Sequence, residues 1–81
     1  SKNVIRDNIT EILKKDNYAK GVVISQQGND VAVDVYILVT YGTKISVICQ
    51  NIQQAVKYNV EQLLGFETSY VNVHVQGVKV D

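Results

Sequence analysis

The longest run in which apolar and polar residues alternate extends from Val31 to Thr40 and predicts a β-strand. Its odd-numbered residues are all apolar and β-branched: Val31, Val33, Val35, Ile37 and Val39. Its even-numbered residues are mixed: Ala32, Asp34, Tyr36, Leu38 and Thr40. Because successive side chains of a strand point to opposite faces, one face of this strand should be buried and the other mostly exposed.

Two further runs predict strands, one before and one after this segment. The run from Gly21 to Gln27 has an apolar centre, and the Gly28-Asn29 pair that follows it is typical of a tight hairpin turn, which requires a positive φ. The run from Thr68 to Gln76 alternates again, and Gly77 permits a bulge beyond its end. Its apolar positions are Val71, Val73 and Val75.

Two segments carry apolar residues at helical spacing. The first extends from Lys2 to Lys15, and its apolar face consists of Val4, Ile5, Ile9, Ile12 and Leu13. The second extends from about Ser46 to Leu64 and has a longer apolar stripe. Either Thr43 or Ser46 is expected to cap its start, and Gly65 stands where a left-handed C-terminal cap is common.

The element order is helix, strand, strand, helix, strand, which predicts an α+β fold. The first two strands form an antiparallel hairpin, and the strand–helix–strand unit that follows should bring its two strands together in parallel. The expected result is a three-stranded mixed sheet with both helices packed on one face. The odd-numbered valines of both long strands are predicted to face these helices.

The opposite face of the sheet is the candidate interaction surface. It should present seven residues: Asp34, Tyr36, Leu38, Tyr70, Asn72, His74 and Gln76. Tyrosine rings supply rigid apolar area and the polar groups supply hydrogen bonds, a combination that suits a protein partner. The alternative is an ordinary solvated face, because sheets with antiparallel strands commonly expose one side that carries a few such residues.

Composition narrows the class of protein. The 81 residues form one domain, and with 46% hydrophobic and 20% charged residues the chain is an ordinary globular one. Eight basic and eight acidic residues cancel, so the chain lacks the clustered positive charge that nucleic acid and anionic lipid require. No stretch approaches the roughly 20 apolar residues that span a bilayer. A single cysteine and a polar start predict a reducing, cytoplasmic compartment.

No constellation of residues points to catalysis, a metal or a cofactor. His74 and Cys49 are the only histidine and cysteine and fall on different elements, whereas a metal site needs several converging ligands. We interpret His74 as a solvated surface residue and Cys49 as a small buried hydrophobe. The carboxylates are scattered, and no phosphate-binding glycine motif occurs. We therefore expect a protein that is not an enzyme.

Three stretches resemble the alkaline shock protein family of Gram-positive bacteria: VAVDVYILVTYG at Val31–Gly42, NIQQAV at Asn51–Val56 and VNVHVQGV at Val71–Val78. Each alone consists mostly of common residues, but the combination in this order is fairly specific. The chain departs from the family at Gln50, where many members carry arginine, and at Val47, where an acidic residue is common. Members usually have a strand and a helix ahead of this region, so the resemblance implies a domain without its N-terminal part.

The resemblance implies a cellular theme rather than an activity. Family members are general-stress or cell-envelope proteins of the cytoplasm, and some are held at the membrane by a separate anchor protein. We therefore expect a non-enzymatic interaction or scaffold module that binds a protein partner or a second copy of itself, without cofactor, nucleic acid or membrane insertion. Two alternatives stay open: a regulator that binds a metabolic enzyme, such as one of lipid synthesis, and a single-stranded RNA-binding module, since Tyr36 and Tyr70 could stack on bases.

Overall fold

The structure is a computed structural model that describes residues 2–15, 19–65, 67–68 and 70–80. Its elements follow the predicted order: α1 (Lys2–Lys15), β1 (Ala19–Gln27), β2 (Asp30–Thr40), α2 (Ile45–Leu64) and β3 (Tyr70–Lys79). Their bounds differ from the predicted ones by at most three residues. The α+β fold that the hydrophobic pattern predicts is therefore confirmed.

β2 is the central strand of a three-stranded sheet in which the order is β1-β2-β3. β1 and β2 form an antiparallel hairpin whose last pair is Gln27 with Asp30, so that Gly28 and Asn29 make the turn. Gly28 has a φ of +59°, which glycine adopts without the steric cost that a Cβ atom would bring. β3 lies parallel to β2 on its other side, because α2 carries the chain back to the opposite end of the sheet.

The core lies between the helices and one face of the sheet. All five odd-numbered residues of β2 are fully buried there: Val31, Val33, Val35, Ile37 and Val39. Each helix adds three residues at a spacing of four: Ile5, Ile9 and Leu13 from α1, and Ile52, Val56 and Val60 from α2. Val4 is exposed, contrary to the prediction, because it lies about 100° around the helix from the buried row. The side chain of Ile12 lies outside the described residues.

The two ends of α2 differ in how well the sequence predicts them. The predicted side-chain cap at the start is wrong: the capping position is Lys44, and it makes no side-chain cap hydrogen bond. The hydroxyl of Thr43 instead donates to the carbonyl of Thr40 over 2.6 Å, within the turn that leaves β2. The predicted cap at the end is confirmed, since Gly65 has a φ of +82° and its N–H donates to the Glu61 carbonyl over 2.8 Å.

Burial on the helix side of β3 decreases along the strand. Val71 is buried and Val73 half-buried, but Val75 is 37% exposed. α2 runs back along the sheet, so its first turns lie near the end of β3, and its residues there, such as Ile45, are exposed as well. α2 therefore covers the start of β3 more completely than its end. The odd-numbered valines of this strand face the helices as predicted, but they are not equally covered.

Candidate interaction surface on the open face of the sheet

The side of the sheet away from the helices, called the open face below, carries the seven residues that the sequence predicts there. The strand pairing explains how they meet: Asp34 lies beside Asn72, and Tyr36 lies beside His74, on the adjacent parallel strands. Neighbouring side chains on one sheet face are close enough to interact directly. Four of the seven residues consequently form one connected group, called the Asp34 cluster: Asp34, Tyr36, Asn72 and His74.

The carboxylate of Asp34 is the centre of this cluster. Its Oδ1 atom lies 2.8 Å from Nε2 of His74 and accepts a hydrogen bond from Nδ2 of Asn72 over 3.3 Å. The hydrogen bond with His74 is the main reason that the pKa of Asp34 is lowered from its usual 3.8, with Asn72 and the charge of the imidazole acting in the same direction and burial opposing them. Asp34 is therefore held as an anion that ties β2 to β3.

The imidazole of His74 also stacks on the phenol ring of Tyr36. The two ring centroids are 4.6 Å apart and the ring planes are inclined by 15°. The His74 side chain is 42% exposed, in line with its interpretation as a surface residue, but Asp34 holds one edge of its ring and Tyr36 covers one face. A hydrogen bond and a ring contact together restrict the rotamers of both aromatic side chains before any partner arrives.

The other three predicted residues flank the Asp34 cluster. Leu38 is half-buried and pairs with Gly77, because the register of β3 shifts between Ile37 and Leu38. That shift leaves Gln76 as an extra, exposed residue without a pairing partner in β2. Tyr70 lies at the opposite end of the face beside Ala32 and is 49% exposed. The open face thus has an ordered centre with an exposed tyrosine at one end.

β1 adds residues that the sequence analysis did not assign to this face. The hairpin register places Val23 directly beside Asp34, and Gly21 beside Tyr36. Val23 is 52% exposed and extends the apolar area of the open face beyond the Asp34 cluster. The signal for it was in the sequence: a two-residue turn at Gly28-Asn29 fixes which residues of β1 and β2 lie side by side.

The Asp34–His74 pair does not by itself make a catalytic site. An aspartate that orients a histidine also occurs in acyl-transfer sites, but those sites need a hydroxyl or thiol within reach of the imidazole. Among the described residues, the only side-chain hydrogen-bond partner of His74 is Asp34. The described part of the chain also contains no group of three histidine, cysteine or acidic side chains that could hold a metal ion. In the same part, no helix has the length and apolar character needed to cross a membrane.

Comparison with known proteins places this chain in a family. Residues 1–80 match the alkaline shock protein family, which is described as having a cell envelope-related function. The chain is 50% identical over 80 residues to the uncharacterized protein YloU of Bacillus subtilis (strain 168), a match that covers 99% of the chain and 67% of the relative. It is 49% identical over 80 residues to an uncharacterized protein of Streptococcus pyogenes serotype M6, covering 99% of the chain and 66% of that relative.

More distant relatives are longer still. A second protein of the same Streptococcus pyogenes strain is 31% identical over 71 residues, which cover 86% of the chain and 55% of that relative. The chain therefore spans between about half and two thirds of the length of the curated relatives that it matches.

Solved structures with the same fold are only remotely similar in sequence. The MamM-CTD structure superposes with a TM-score of 0.60 at 16% identity, over 95% of this chain and 99% of that one. A variant of the same domain gives 0.61 at 15% identity, over 98% and 100% of the two chains. At this level of identity the likeness shows a shared fold, and function has to be argued from the residues of this chain.

Proposed function

We propose that this chain, which belongs to the alkaline shock protein family, is a non-enzymatic interaction module of the cell envelope and that its open face binds a protein partner. The family description supports the cellular setting. The Asp34 cluster supports the choice of surface, and it is the observation on which the proposal depends. A partner that carries its own membrane anchor would bring the module to the envelope without an insertion of this chain.

The order within the cluster favours binding because it lowers the entropic cost of association. Fixing a rotamer-rich side chain at an interface costs about 0.5–1.5 kcal/mol. Tyr36 and His74 are already held by their mutual stacking and by Asp34, so much of this cost is met during folding. Aromatic side chains that are rigid before binding are common anchors of protein interfaces.

The charge on the open face favours a protein partner over RNA. Asp34 is a carboxylate in the middle of the face, where it would repel phosphate groups. One face of the Tyr36 ring is already taken by His74 and is not available to a base. The remaining groups offer what a peptide surface needs: apolar area from Val23 and Tyr70 and the exposed amides of Asn72 and Gln76.

A crosslinking pull-down with the full-length protein tests the proposal. Wild type is compared with Tyr36→Lys, which removes the stacked ring and places a cation in the centre of the open face. Tyr58→Lys is the matched control, because Tyr58 is a tyrosine of the helix layer that is 64% exposed. Tyr70→Lys changes the open face at an exposed position at its end and therefore carries little risk of misfolding. Circular dichroism confirms that each variant is folded.

We expect envelope or membrane-anchored proteins to be recovered by wild type and Tyr58→Lys, and to be lost with Tyr36→Lys and reduced with Tyr70→Lys. A metabolic enzyme recovered in the same pattern would support the open face but replace the envelope role with that of an enzyme regulator. Identical sets of proteins from all four samples would contradict the assignment of this surface.

A further inference from the structure

The open face has a low point at Ala32, between the two aspartates of β2. The side chain of Ala32 is a single methyl group, whereas the residues two positions away on either side are Asp30 and Asp34. The strand register places Ser25 of β1 beside Ala32 on one side and Tyr70 of β3 on the other. A shallow concavity of about 550 Å³ lies here, called the Ala32 concavity below, and its lining includes Ser25, Asp30, Ala32 and Tyr70.

The concavity lies over the central strand of the sheet. β2 has a neighbouring strand on each side, so the neighbours of Ala32 do not depend on what pairs with either edge of the sheet. Ala32 is half-buried, because the longer side chains around it stand higher above the sheet. Sites that take a small molecule measure about 300–1,000 Å³. The Ala32 concavity therefore has room for at least one long side chain of a partner.

Tyr70 forms an uncovered aromatic wall of the Ala32 concavity. It is 49% exposed, and within the described part of the chain no other ring stacks on it. Tyr36 differs, because the imidazole of His74 covers one face of its ring. The face of a phenol ring carries partial negative charge and attracts a cation that lies within about 6 Å of the ring centre. Tyr70 is thus the tyrosine of the open face that is best placed to receive a cation.

Asp34 supplies a carboxylate oxygen at the rim of the concavity. It lies two residues from Ala32 on the same face of β2, which corresponds to about 7 Å along the strand. Its contacts with His74 and Asn72 both involve Oδ1. Among the described residues no hydrogen bond reaches Oδ2, and the side chain remains 24% exposed. One oxygen of the carboxylate can therefore accept a hydrogen bond from a partner.

The charge around the concavity is negative. Residues 23–27 of β1, 30–34 of β2 and 70–72 of β3 form this end of the sheet and include two aspartates but no lysine, arginine or histidine. An anionic group would be repelled here. An apolar side chain would remove the carboxylate of Asp34 from water without giving its Oδ2 atom a partner. A cationic side chain is the complementary occupant.

We propose that the protein partner of the open face inserts an arginine into the Ala32 concavity, with its guanidinium stacked on Tyr70 and hydrogen-bonded to Oδ2 of Asp34. This inference rests on the proposed function and names the group by which the partner is recognised. Tyr70 and Asp34 lie diagonally across from each other on adjacent strands, within the reach of a long side chain. Arginine fits better than lysine, because its planar guanidinium stacks on a ring while its N–H groups donate sideways.

A titration of the full-length protein, followed by the NMR chemical shifts of its backbone amides, tests the contact directly. The probe is acetyl-leucyl-arginyl-leucine amide, and the control peptide carries citrulline, which has a similar shape to arginine but no charge. We expect the arginine peptide to shift the amides of Ala32, Asp34 and Tyr70 most, and the citrulline peptide to bind at least about threefold more weakly. Absent shifts, or equal affinity for the two peptides, would overturn the proposal. Equal affinity for the corresponding lysine peptide would overturn the choice of arginine.

Substitutions in the concavity identify the contacts. Asp34→Asn and Tyr70→Leu should each weaken binding of the arginine peptide by about threefold or more, and Tyr70→Phe, which keeps the ring face, should restore most of the affinity lost in Tyr70→Leu. Ala32→Val fills the concavity without changing a charge and should weaken binding as well. Asp7→Asn and Tyr58→Leu are the matched controls, because they make the same changes at exposed positions of the helices. A Tyr70→Phe variant as impaired as Tyr70→Leu would contradict the stacking.

The crosslinking pull-down separates this inference from the proposed function. A partner that is lost with Tyr36→Lys and reduced with Ala32→Val supports both. A partner that is lost with Tyr36→Lys but fully bound by Ala32→Val and Asp34→Asn would overturn the arginine contact and leave the open face as the binding surface. A partner that all three variants retain would contradict both. Circular dichroism confirms that each variant is folded.

Discussion

β2 and β3 have nearly the same pattern of alternating valines but lie in different environments. Every odd-numbered residue of β2 from Val31 to Val39 is fully buried. On β3 only Val71 is buried, and exposure reaches 37% at Val75. β2 is flanked by a strand on each side, whereas β3, within the part of the chain that the structure describes, has a neighbouring strand on one side only, and its end is less covered by α2.

The difference shows what an alternating pattern encodes. Alternation tells which side chains share a face, because the period of a strand is two residues. How deeply that face is buried depends on the position of the strand in the sheet and on the path of the helix above it, and both are set by contacts distant in sequence. Substitutions in and around the two strands can measure how far β2 and β3 differ in their contribution to stability, beginning with the largest expected effect.

Val35→Ala in β2 should cost far more stability than Val75→Ala in β3, although the two substitutions are chemically identical. Val35 is fully buried, so the lost transfer energy of two methyl groups plus the cavity left behind should lower the free energy of unfolding by roughly 2–3 kcal/mol. Val75 is partly hydrated already and should cost less than about 1 kcal/mol. Urea denaturation followed by circular dichroism measures both. Equal losses would refute the energetic difference between the strands.

Glu61→Ala should have the next largest effect, because Glu61 anchors the start of β3. Its Oε2 accepts hydrogen bonds from the N–H of Thr68 at 2.9 Å and from the Thr68 hydroxyl at 3.3 Å. Thr68 is buried, so loss of the acceptor leaves donors that water cannot readily reach, at a cost of about 1–2 kcal/mol.

Two variants separate this role of Glu61 from its charge. Glu61→Gln retains an acceptor oxygen and should lose less than half as much stability as Glu61→Ala. Lys57→Ala removes the exposed ion pair with Glu61, whose atoms are 4.0 Å apart, and should change stability by less than about 0.5 kcal/mol. If Lys57→Ala were as damaging as Glu61→Ala, the ion pair and not the anchoring of Thr68 would be the important contact.

Asp34→Asn should have a smaller effect, and one that depends on pH. The pKa of Asp34 is lowered in the folded protein, mainly by the hydrogen bond with His74, so the carboxylate adds stability above the unfolded pKa of 3.8 and loses it as pH falls through the lower folded pKa. The side chains of His74 and Asp34 remain 42% and 24% exposed, which limits the contribution to less than about 1 kcal/mol.

The measurement is the difference in unfolding free energy between wild type and Asp34→Asn as a function of pH. Wild type should be the more stable near neutral pH, and the difference should disappear in strong acid, below the folded pKa. A difference that stays constant down to strong acid would mean that the charge of Asp34 does not contribute.

The contrast between features set by local sequence and features set by contacts distant in sequence explains which parts of the structure were predictable. The element order, the buried face of β2 and the Gly65 cap depend on local periodicity or on one backbone conformation, and all three are confirmed. The Asp34 cluster was not predicted as a connected group, because it depends on the register between strands and joins residues 38 and 40 positions apart in the chain. The start of α2 was mispredicted because the capping position is Lys44, between the two hydroxyl candidates, and the Thr43 hydroxyl bonds to the turn instead.

Gly77→Ala should change the free energy of unfolding least, and it tests how well β3 tolerates an added side chain at its bulge. A Cβ atom at this position would meet only the Cδ2 methyl of Leu38, at 3.3 Å, which is a tight contact with the end of a flexible side chain. Gly77 does not have a positive φ, so alanine brings no backbone strain there. Alanine also lowers the conformational entropy of the unfolded chain, which raises the free energy of unfolding by about 0.4–1 kcal/mol. A small rotation of Leu38 on the open face relieves the contact at a similar cost. We therefore expect a free energy of unfolding within about 0.5 kcal/mol of wild type. A loss comparable to that of Val35→Ala would instead show that the bulge of β3 is packed as tightly as the centre of the sheet.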